Sequence, residues 1–178
     1  MVKTKHNKNI IYCGRQEVRS KGFTLLELLV VIAIIGLLAT MAIFASGQIL
    51  KKTRDMKRKN DLSQIGKFLT LSCYLPDSGD GEYDVASLAY ELKAKYPQYA
   101  GMLAKLPKDP KTGNDAQTYY FYKVADEGKK CALFANLENS SEAVTLPAIS
   151  TSTPGGGTGI FESQAGWNGS TKYFQFTN

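Results

Sequence analysis

Histidine is nearly absent from this 178-residue chain: the single example, His6, lies close to the N-terminus. Catalytic arrangements such as Ser-His-Asp and Cys-His need an imidazole, and so do most protein sites for zinc. The remaining residues therefore cannot form any of these centres. We expect a protein that is not an enzyme and that holds no cofactor.

Cysteine is also scarce, with Cys13 near the N-terminus and Cys73 and Cys131 further along. If an N-terminal leader is removed and the rest is exported, Cys73 and Cys131 remain in a compartment where disulfides persist. A Cys73 to Cys131 disulfide and a pair of buried thiols are the two alternatives.

Acidic residues are rare at the N-terminus. Residues 1–22 contain six basic residues and one acidic residue, which accounts for five of the six net positive charges of the chain. The basic character thus belongs to the first segment, and the body is almost neutral. Nucleic acid is not an expected partner.

Charge is almost missing between Leu25 and Ala45, a run of 21 residues whose one ionisable side chain is Glu27. As a helix, this run would extend about 30 Å, which matches the hydrocarbon core of a bilayer. A secretory signal would be cut after the apolar run, but its continuation into a helical pattern favours retention. A carboxylate is unfavourable there, so Glu27 either lies at the interface or awaits a positive partner.

Residues 21–31, with the sequence KGFTLLELLVV, resemble the prepilin signature of type IV pilins and type II secretion pseudopilins. The resemblance implies that a prepilin peptidase and methyltransferase cuts between Gly22 and Phe23 and methylates Phe23. It also implies that Glu27 assists assembly. The chain would start in the inner membrane and then join an extracellular pilus or periplasmic pseudopilus on an assembly platform.

The chemistry of such processing explains Glu27. Cleavage turns the Phe23 amide nitrogen into a cation, which a nearby carboxylate can neutralise at membrane depth. The partner is either the Phe23 amine of a neighbouring subunit or that of the same chain, four residues away on one helix face. Both geometries remain open.

Many members of the resembled family carry a proline within this helix, and this chain has Phe44 at the corresponding position. Gly36 lies inside the apolar run, where glycine weakens a helix by about 1 kcal/mol relative to alanine. We expect Gly36 either to allow close helix approach or to provide a flexible point in the helix.

After Gly47 the pattern becomes amphipathic. Apolar residues recur at helical spacing, and we assign the buried face to Ile49, Met56, Leu62, Ile65, Phe68 and Leu69. The basic run at residues 51–61 contains no aromatic residue, so a solvated face or a salt-bridged subunit interface is preferred over a DNA or lipid site.

An acidic loop occupies residues 77–84, with carboxylates at Asp77, Asp80, Glu82 and Asp84. Its order does not match an EF-hand, so a plain acidic loop is preferred and calcium is the alternative. Residues 85–96 predict a short helix with Asp84 as its N-cap.

The rest of the chain predicts a small antiparallel sheet. Residues 117–124 and 130–137 form a predicted hairpin around Asp126-Glu127-Gly128. The preceding Leu106 to Pro110 segment resembles the region that leads into the sheet of major pseudopilins and small pilins.

These observations predict an α+β, type IV pilin-like fold in which a long N-terminal helix packs on a small antiparallel sheet. The predicted parts are a leader (1–22), an assembly helix (23–47), its amphipathic continuation (48–75), a head with a short helix and a hairpin (76–146), a flexible linker (147–159) and a tail that either adds a final strand or covers the sheet (160–178).

The predicted function is that of a homo-oligomeric filament subunit for adhesion, motility, DNA uptake or protein secretion. A pseudopilin that acts as a secretion piston is the close alternative. A membrane-anchored binding domain is a more distant one, because the sequence offers no convergent polar pocket.

Overall fold

The computed structural model describes residues 22–69 and 73–177, apart from the side chains of residues 42–46 and 69. The predicted leader, residues 1–22, lies outside this description except for Gly22. The chain forms two compact units, one ending at Ala42 and the other beginning at Ile43.

The elements follow one another in the order expected for an α+β protein. They are α1 (Leu25–Leu69), β1 (Gly81–Asp84), α2 (Val85–Lys95), a 3₁₀ turn (Pro97–Tyr99), α3 (Ala100–Leu103), β2 (Phe121–Ala125), β3 (Lys130–Asn136), β4 (Gly159–Glu162) and β5 (Lys172–Thr177). All strand pairs are antiparallel, in the order β1-β2-β3-β5-β4. The predicted fold class, a helix with a small antiparallel sheet, is confirmed.

In α1, the described side chains before residue 42 are exposed on every face of the helix. Among the helical residues that the structure describes, no segment is both long and apolar enough to cross a bilayer. The membrane-embedded first half expected at residues 23–47 stays a prediction. That segment includes residues 42–46, whose side chains lie outside the description.

The second half of α1 contributes Leu62 and Ile65 to the core of the head. The predicted buried face is nevertheless wrong in part, because Ile49, Met56 and Phe68 are 60%, 62% and 69% exposed. Asp55 and Arg58 are fully buried instead. They replace apolar side chains on this face because ionic partners from the head surround them.

The helix α2 begins where the sequence predicts it. Asp84 Oδ1 accepts a hydrogen bond from the Ala86 N–H at 2.8 Å, which confirms Asp84 as the N-cap. Val85 and Leu88 are buried in the core of the head. The helix thus packs its apolar side against the sheet and α1.

The predicted hairpin is present as β2 and β3, with a turn in which Asp126 and Glu127 have φ values of 57° and 56°. Strand β2 starts at Phe121 and not at residue 117. The Asp84 carboxylate accepts hydrogen bonds from the N–H groups of Thr118 and Tyr119, and Tyr119 has φ 60°. These contacts hold the segment before Phe121 out of the extended conformation.

The tail is part of the sheet. Residues 159–177 supply both β4 and β5, and β5 lies between β3 and β4. Strand β5 agrees with the final strand offered by the sequence of this tail, whereas β4 was not predicted.

The segment between Pro147 and Gly159 also differs from the predicted flexible linker. Gln175 is fully buried, and its side chain accepts a hydrogen bond from the Thr153 N–H and donates to the Thr153 and Gly157 carbonyl oxygens. Gly155 and Gly157 adopt φ values of 78° and 92°. These glycines serve defined turns held against the sheet.

Candidate functional site

The N-terminal candidate site begins immediately before α1. Gly22 and Phe23 precede the first helical residue, and the Phe23 side chain is 86% exposed. A Cβ atom added at Gly22 would meet no atom within 4 Å. The glycine is therefore not required by the packing of this part of the chain.

Glu27 lies in the first turn of α1. Its Oε2 atom accepts hydrogen bonds from the Thr24 N–H at 2.9 Å and from the Thr24 hydroxyl at 3.0 Å. In return, the Glu27 N–H donates to Thr24 Oγ1 at 3.2 Å. This reciprocal arrangement is a capping box, which satisfies two backbone N–H groups that a helix leaves unpaired at its start.

Sequence reasoning identified Glu27 but not Thr24. The signal was available, because a threonine followed three residues later by a glutamate, ahead of an apolar run, is the sequence signature of a capping box. Gly36 lies in the interior of α1, with no atom within 4 Å of an added Cβ. Its predicted role in close packing or helix flexibility is not tested by these contacts.

Residues 18–43 match the family described as the prokaryotic N-terminal methylation motif. The chain carries a type IV prepilin signal. The matched segment contains Gly22, Phe23, Thr24 and Glu27, and it corresponds to the class III signal peptide of type IV pilins and pseudopilins. The motif supports a structural, pilin-like or pseudopilin precursor that is a substrate of a prepilin peptidase. No curated protein and no solved structure matches the chain.

A second site, which sequence reasoning missed, lies in the head around Arg58. The Arg58 guanidinium donates Nε and Nη2 to the two carboxylate oxygens of Asp109, at 2.7 and 2.9 Å. Its Nη1 lies 2.7 Å from Asp55 Oδ1 and 2.8 Å from Glu138 Oε1. We call Arg58, Asp55, Asp109 and Glu138 the buried ion cluster.

Further contacts complete the buried ion cluster. Arg54 donates both Nε and Nη2 to Glu138, at 2.7 and 2.6 Å. Asp55 accepts hydrogen bonds from the N–H groups of Glu138 and Asn139. Asn168 donates its Nδ2 to Asp109 at 3.0 Å. The cluster thereby joins α1 to the loop before β2, to the end of β3 and to the β4 to β5 connection.

Electrostatics keep the buried ion cluster charged. Burial alone would raise the pKa of Asp109, but hydrogen bonds from Arg58 hold that pKa well below its usual range. Hydrogen bonds from Arg54 lower the pKa of Glu138. Burial opposes the charge of Arg58, whereas its hydrogen bonds with Asp109 and Glu138 raise its pKa above the ordinary value. Arg54 and Arg58 together thus face the three carboxylates of Asp55, Asp109 and Glu138.

The spacing of α1 contained a signal for the buried ion cluster. Asp55, Arg58, Leu62 and Ile65 recur at intervals of three and four residues, so they share one face of the helix. Two charged residues on the face that carries the core residues indicate an internal ion pair. The basic run at residues 51–61 is therefore not simply a solvated face.

The four acidic candidates for calcium do not converge. Asp84 caps α2 and binds the backbone before β2, while Asp77 pairs with Lys95. Asp80 accepts a hydrogen bond from the Glu127 N–H, and Glu82 lies opposite Lys123 in the sheet. Within residues 22–69 and 73–177, no group of three or more metal-ligating side chains is assembled.

Cys73 and Cys131 form a disulfide that closes a loop of 58 residues. Cys73 follows the end of α1, and Cys131 belongs to β3. The bond therefore links the segment after the helix to the middle of the sheet. Of the two alternatives left open by the sequence, the structure contains the disulfide.

Proposed function

We propose that the chain is the precursor of a structural subunit of a type IV pilus or pseudopilus. It is cut between Gly22 and Phe23, methylated on Phe23 and polymerised through residues 23–47 into a filament. The observation that carries this proposal is the match of residues 18–43 to the N-terminal methylation motif. Before assembly the subunit is held at the inner membrane by its apolar N-terminal segment.

The surroundings of Gly22 support cleavage at this bond. The bond lies ahead of α1 and carries an exposed Phe23 side chain. A peptidase reaches such a bond without unwinding the helix.

The capping box gives Glu27 a defined position before cleavage. Its carboxylate is held at the start of the helix by Thr24, one residue from the nitrogen that cleavage converts into a cation. The pair of charges then stabilises a subunit surrounded by apolar side chains, where either charge alone is costly. Assembly thus depends on processing, which supplies the positive charge.

The exposed apolar side chains of residues 23–41 support polymerisation through this segment. Large apolar residues lie on all faces of the helix, and Leu25, Leu26 and Met41 are between 62% and 81% exposed. A helix that is apolar all round is stable only when it is surrounded by lipid or by other helices. A bundle of such helices in a filament provides that environment after the subunit leaves the membrane.

Mass spectrometry of purified fibres tests the proposal. We expect an intact mass and an N-terminal sequence that begin at a methylated Phe23, with no leader-bearing chain in the fibre. A chain that starts near Gln48 would show that the apolar segment is a discarded secretory signal, and the proposal would fail.

Two substitutions separate the charge of Glu27 from its capping role. Glu27→Gln keeps the hydrogen-bonding capacity of a capping box but removes the charge, and we expect it to abolish most fibre assembly. Thr24→Ala removes the cap but keeps the charge, and we expect fibres to form. If the two variants assembled equally well, the proposed charge pairing would be wrong.

Cell fractionation distinguishes a surface pilus from a secretion pseudopilus. A pilus subunit is recovered from fibres sheared off the cell surface, whereas a pseudopilus subunit remains in the envelope and its deletion blocks protein secretion. By resemblance, the Leu106 to Pro110 segment favours a major pseudopilin or a small major pilin, whereas the long tail favours a displayed pilus surface. The two roles share the same processing and the same mode of assembly.

A further inference from the structure

The sequence contains two tripeptides of the form Asn-x-Ser, in which an asparagine side chain can accept a glycan. One is Asn139-Ser140-Ser141, shortly after β3, and the other is Asn168-Gly169-Ser170, between β4 and β5. A folded protein offers such a site when the amide nitrogen of the asparagine and the hydroxyl of the serine are both free to contact an enzyme. The structure distinguishes the two tripeptides by this criterion.

The tripeptide at Asn168 is closed. Asn168 Nδ2 donates to Asp109 Oδ2 at 3.0 Å and to the Asn136 carbonyl oxygen at 2.9 Å, so both hydrogens of this amide group are engaged. Ser170 is buried, and its Oγ accepts a hydrogen bond from the Lys172 N–H at 3.0 Å. These groups hold the β4 to β5 connection on the buried ion cluster and are not available for chemistry in the folded head.

The amide nitrogen of Asn139 is free, although most of the residue is buried. The Asn139 N–H donates to Asp55 Oδ2 at 2.8 Å, and Asn139 Oδ1 accepts a hydrogen bond from the Ser141 N–H at 3.2 Å. Within residues 22–69 and 73–177, Asn139 Nδ2 donates no hydrogen bond, and it is not one of the unpaired atoms that are closed off from solvent. The folded head thus uses the backbone and the side-chain oxygen of Asn139 but not its amide nitrogen.

The two serines of this tripeptide lie on the surface. Ser140 and Ser141 are exposed and form a turn, in which the Glu142 N–H donates to the Asn139 carbonyl oxygen at 3.4 Å. The Ser141 N–H contacts Asn139, whereas the Ser141 hydroxyl makes no hydrogen bond within the described part of the chain. The hydroxyl two residues after the asparagine is therefore free as well.

We propose that Asn139 is an N-glycosylation site that accepts a saccharide from a polyprenyl diphosphate carrier. The new bond joins Asn139 Nδ2 to the anomeric carbon of the sugar, and the bond that breaks joins this carbon to the diphosphate. The diphosphate leaves with the electron pair of the broken bond, and a carboxylate of the transferase takes the proton from Nδ2. This inference rests on the proposed function, since export of the head brings Asn139 to a membrane-bound carrier.

The glycosylated product keeps the contacts of the site. The amide carbonyl survives the reaction, so Asn139 Oδ1 still accepts from the Ser141 N–H. Asp55 contacts the backbone N–H of Asn139 and not its side chain, so the buried ion cluster is also unchanged. Modification at Asn139 is consequently compatible with the folded head, whereas modification at Asn168 would remove two hydrogen bonds from a buried amide.

Peptide mass mapping of fibres from the native cells is the first test. We expect the peptide that contains Asn139 to carry a saccharide and the peptide that contains Asn168 to be unmodified. An unmodified Asn139, or a saccharide on Asn168, would overturn the proposal. The same spectra report the methylated N-terminal Phe23, so the proposed filament function is tested separately and stands if only the glycan is missing.

Three variants of the full chain identify the acceptor atom. Asn139→Gln removes the acceptor and Ser141→Ala removes the free hydroxyl, so both should lack the saccharide. Ser140→Ala is the matched control, because it changes the exposed residue between them and should keep the saccharide. A saccharide that persists in Ser141→Ala, or that disappears in Ser140→Ala, would contradict glycosylation of this tripeptide.

Transfer in solution tests the role of the fold. Processed full chain is incubated in detergent with an oligosaccharyltransferase and a polyprenyl diphosphate-linked oligosaccharide, once folded and once reduced and unfolded. In the folded chain, transfer to Asn139 should exceed transfer to Asn168 by at least about tenfold, since Asn168 becomes available only when its loop opens. The unfolded chain should accept the oligosaccharide at both positions. Equal transfer to the two positions in the folded chain, or none to Asn139, would overturn the proposal.

Discussion

Arg58 is the cation that pairs with the largest number of buried carboxylates among the described residues. It is fully buried and contacts three carboxylates, which come from α1, from the loop before β2 and from the end of β3. A buried ion cluster does not by itself add much stability, because removing the charges from water is unfavourable. The charged side chains of the cluster nevertheless depend on one another, since removal of one leaves an oppositely charged side chain buried without its partner.

Arg58→Leu should destabilise the head by about 3 to 5 kcal/mol, because Asp55 and Asp109 would remain buried without their main cation. The measurement is the free energy of unfolding from a urea titration followed by circular dichroism. Lys52→Leu, at an exposed position on the same helix, is the matched control and should change stability by less than about 0.5 kcal/mol. Equal effects of the two substitutions would contradict the role of the cluster.

Acid should weaken the head through the buried ion cluster. The pKa values of Asp109 and Glu138 are lowered in the folded state, so their stabilising contribution is complete above the ordinary carboxylate pKa of about 4. Below that pH the unfolded chain binds protons first, and stability falls as pH approaches the lowered values. Urea titrations between pH 7 and pH 3 measure this loss.

Glu138→Gln is the control for the acid effect. It removes one of the carboxylates whose pKa is lowered, so its stability should be lower at pH 7 and should decline less steeply with acid. A slope equal to that of the wild type would show that other carboxylates produce the acid sensitivity.

Two features connect helices and strands that are distant in sequence: the disulfide, and the pairing of β5 between β3 and β4. The disulfide ties the segment after α1 to β3. Strand β5 pairs with both β3 and β4, with Phe134 opposite Gln175 and Phe161 opposite Tyr173. Elements that are distant in sequence therefore depend on one another, and the head should unfold as one unit.

Replacement of both cysteines, Cys73→Ala and Cys131→Ala, should destabilise the head by about 4 kcal/mol. The closed loop spans 58 residues, and the stabilisation by a crosslink grows with the length of that loop. Thermal unfolding of the oxidised wild type, the reduced wild type and the double variant measures the effect. If the reduced wild type and the double variant differed strongly, loss of packing at these positions would account for the change instead.

Gly36→Ala should stabilise the first part of α1 by about 1 kcal/mol, because alanine is the better helix former and no atom lies within 4 Å of the added methyl group. Circular dichroism of a peptide of residues 23–42 in detergent measures its helicity. Fibres of this variant should also be straighter in electron micrographs. Fibres that fail to form would indicate that Gly36 serves close helix approach.

The net charge of the molecule is unevenly distributed between the N-terminal segment and the remaining chain. Its net charge of +6 comes mainly from residues 1–22, while the remaining chain is almost neutral. Long-range repulsion between heads is small, which favours their close packing in a filament.

Removal of the leader lowers the net charge from +6 to +1, so the isoelectric point should fall below the value of about 9.1 for the full chain. Isoelectric focusing of protein from fibres and from cells lacking the prepilin peptidase measures the shift. A fibre protein that focuses with the uncut chain would contradict processing after Gly22.

The sequence by itself determined the match of residues 18–43 to the N-terminal methylation motif, since such a motif depends on local residue order. It also determined the fold class, the N-cap of α2 and the β2 to β3 hairpin, because helix caps, turns and hydrophobic periodicity act over a few residues. Only the tertiary structure decided which carboxylates surround Arg58, the ordered course of residues 147–159 and the position of β5 between β3 and β4. Each of these depends on partners more than 15 residues away, such as Asp109 for Arg58 and Gln175 for Thr153, and residue spacing does not identify such partners.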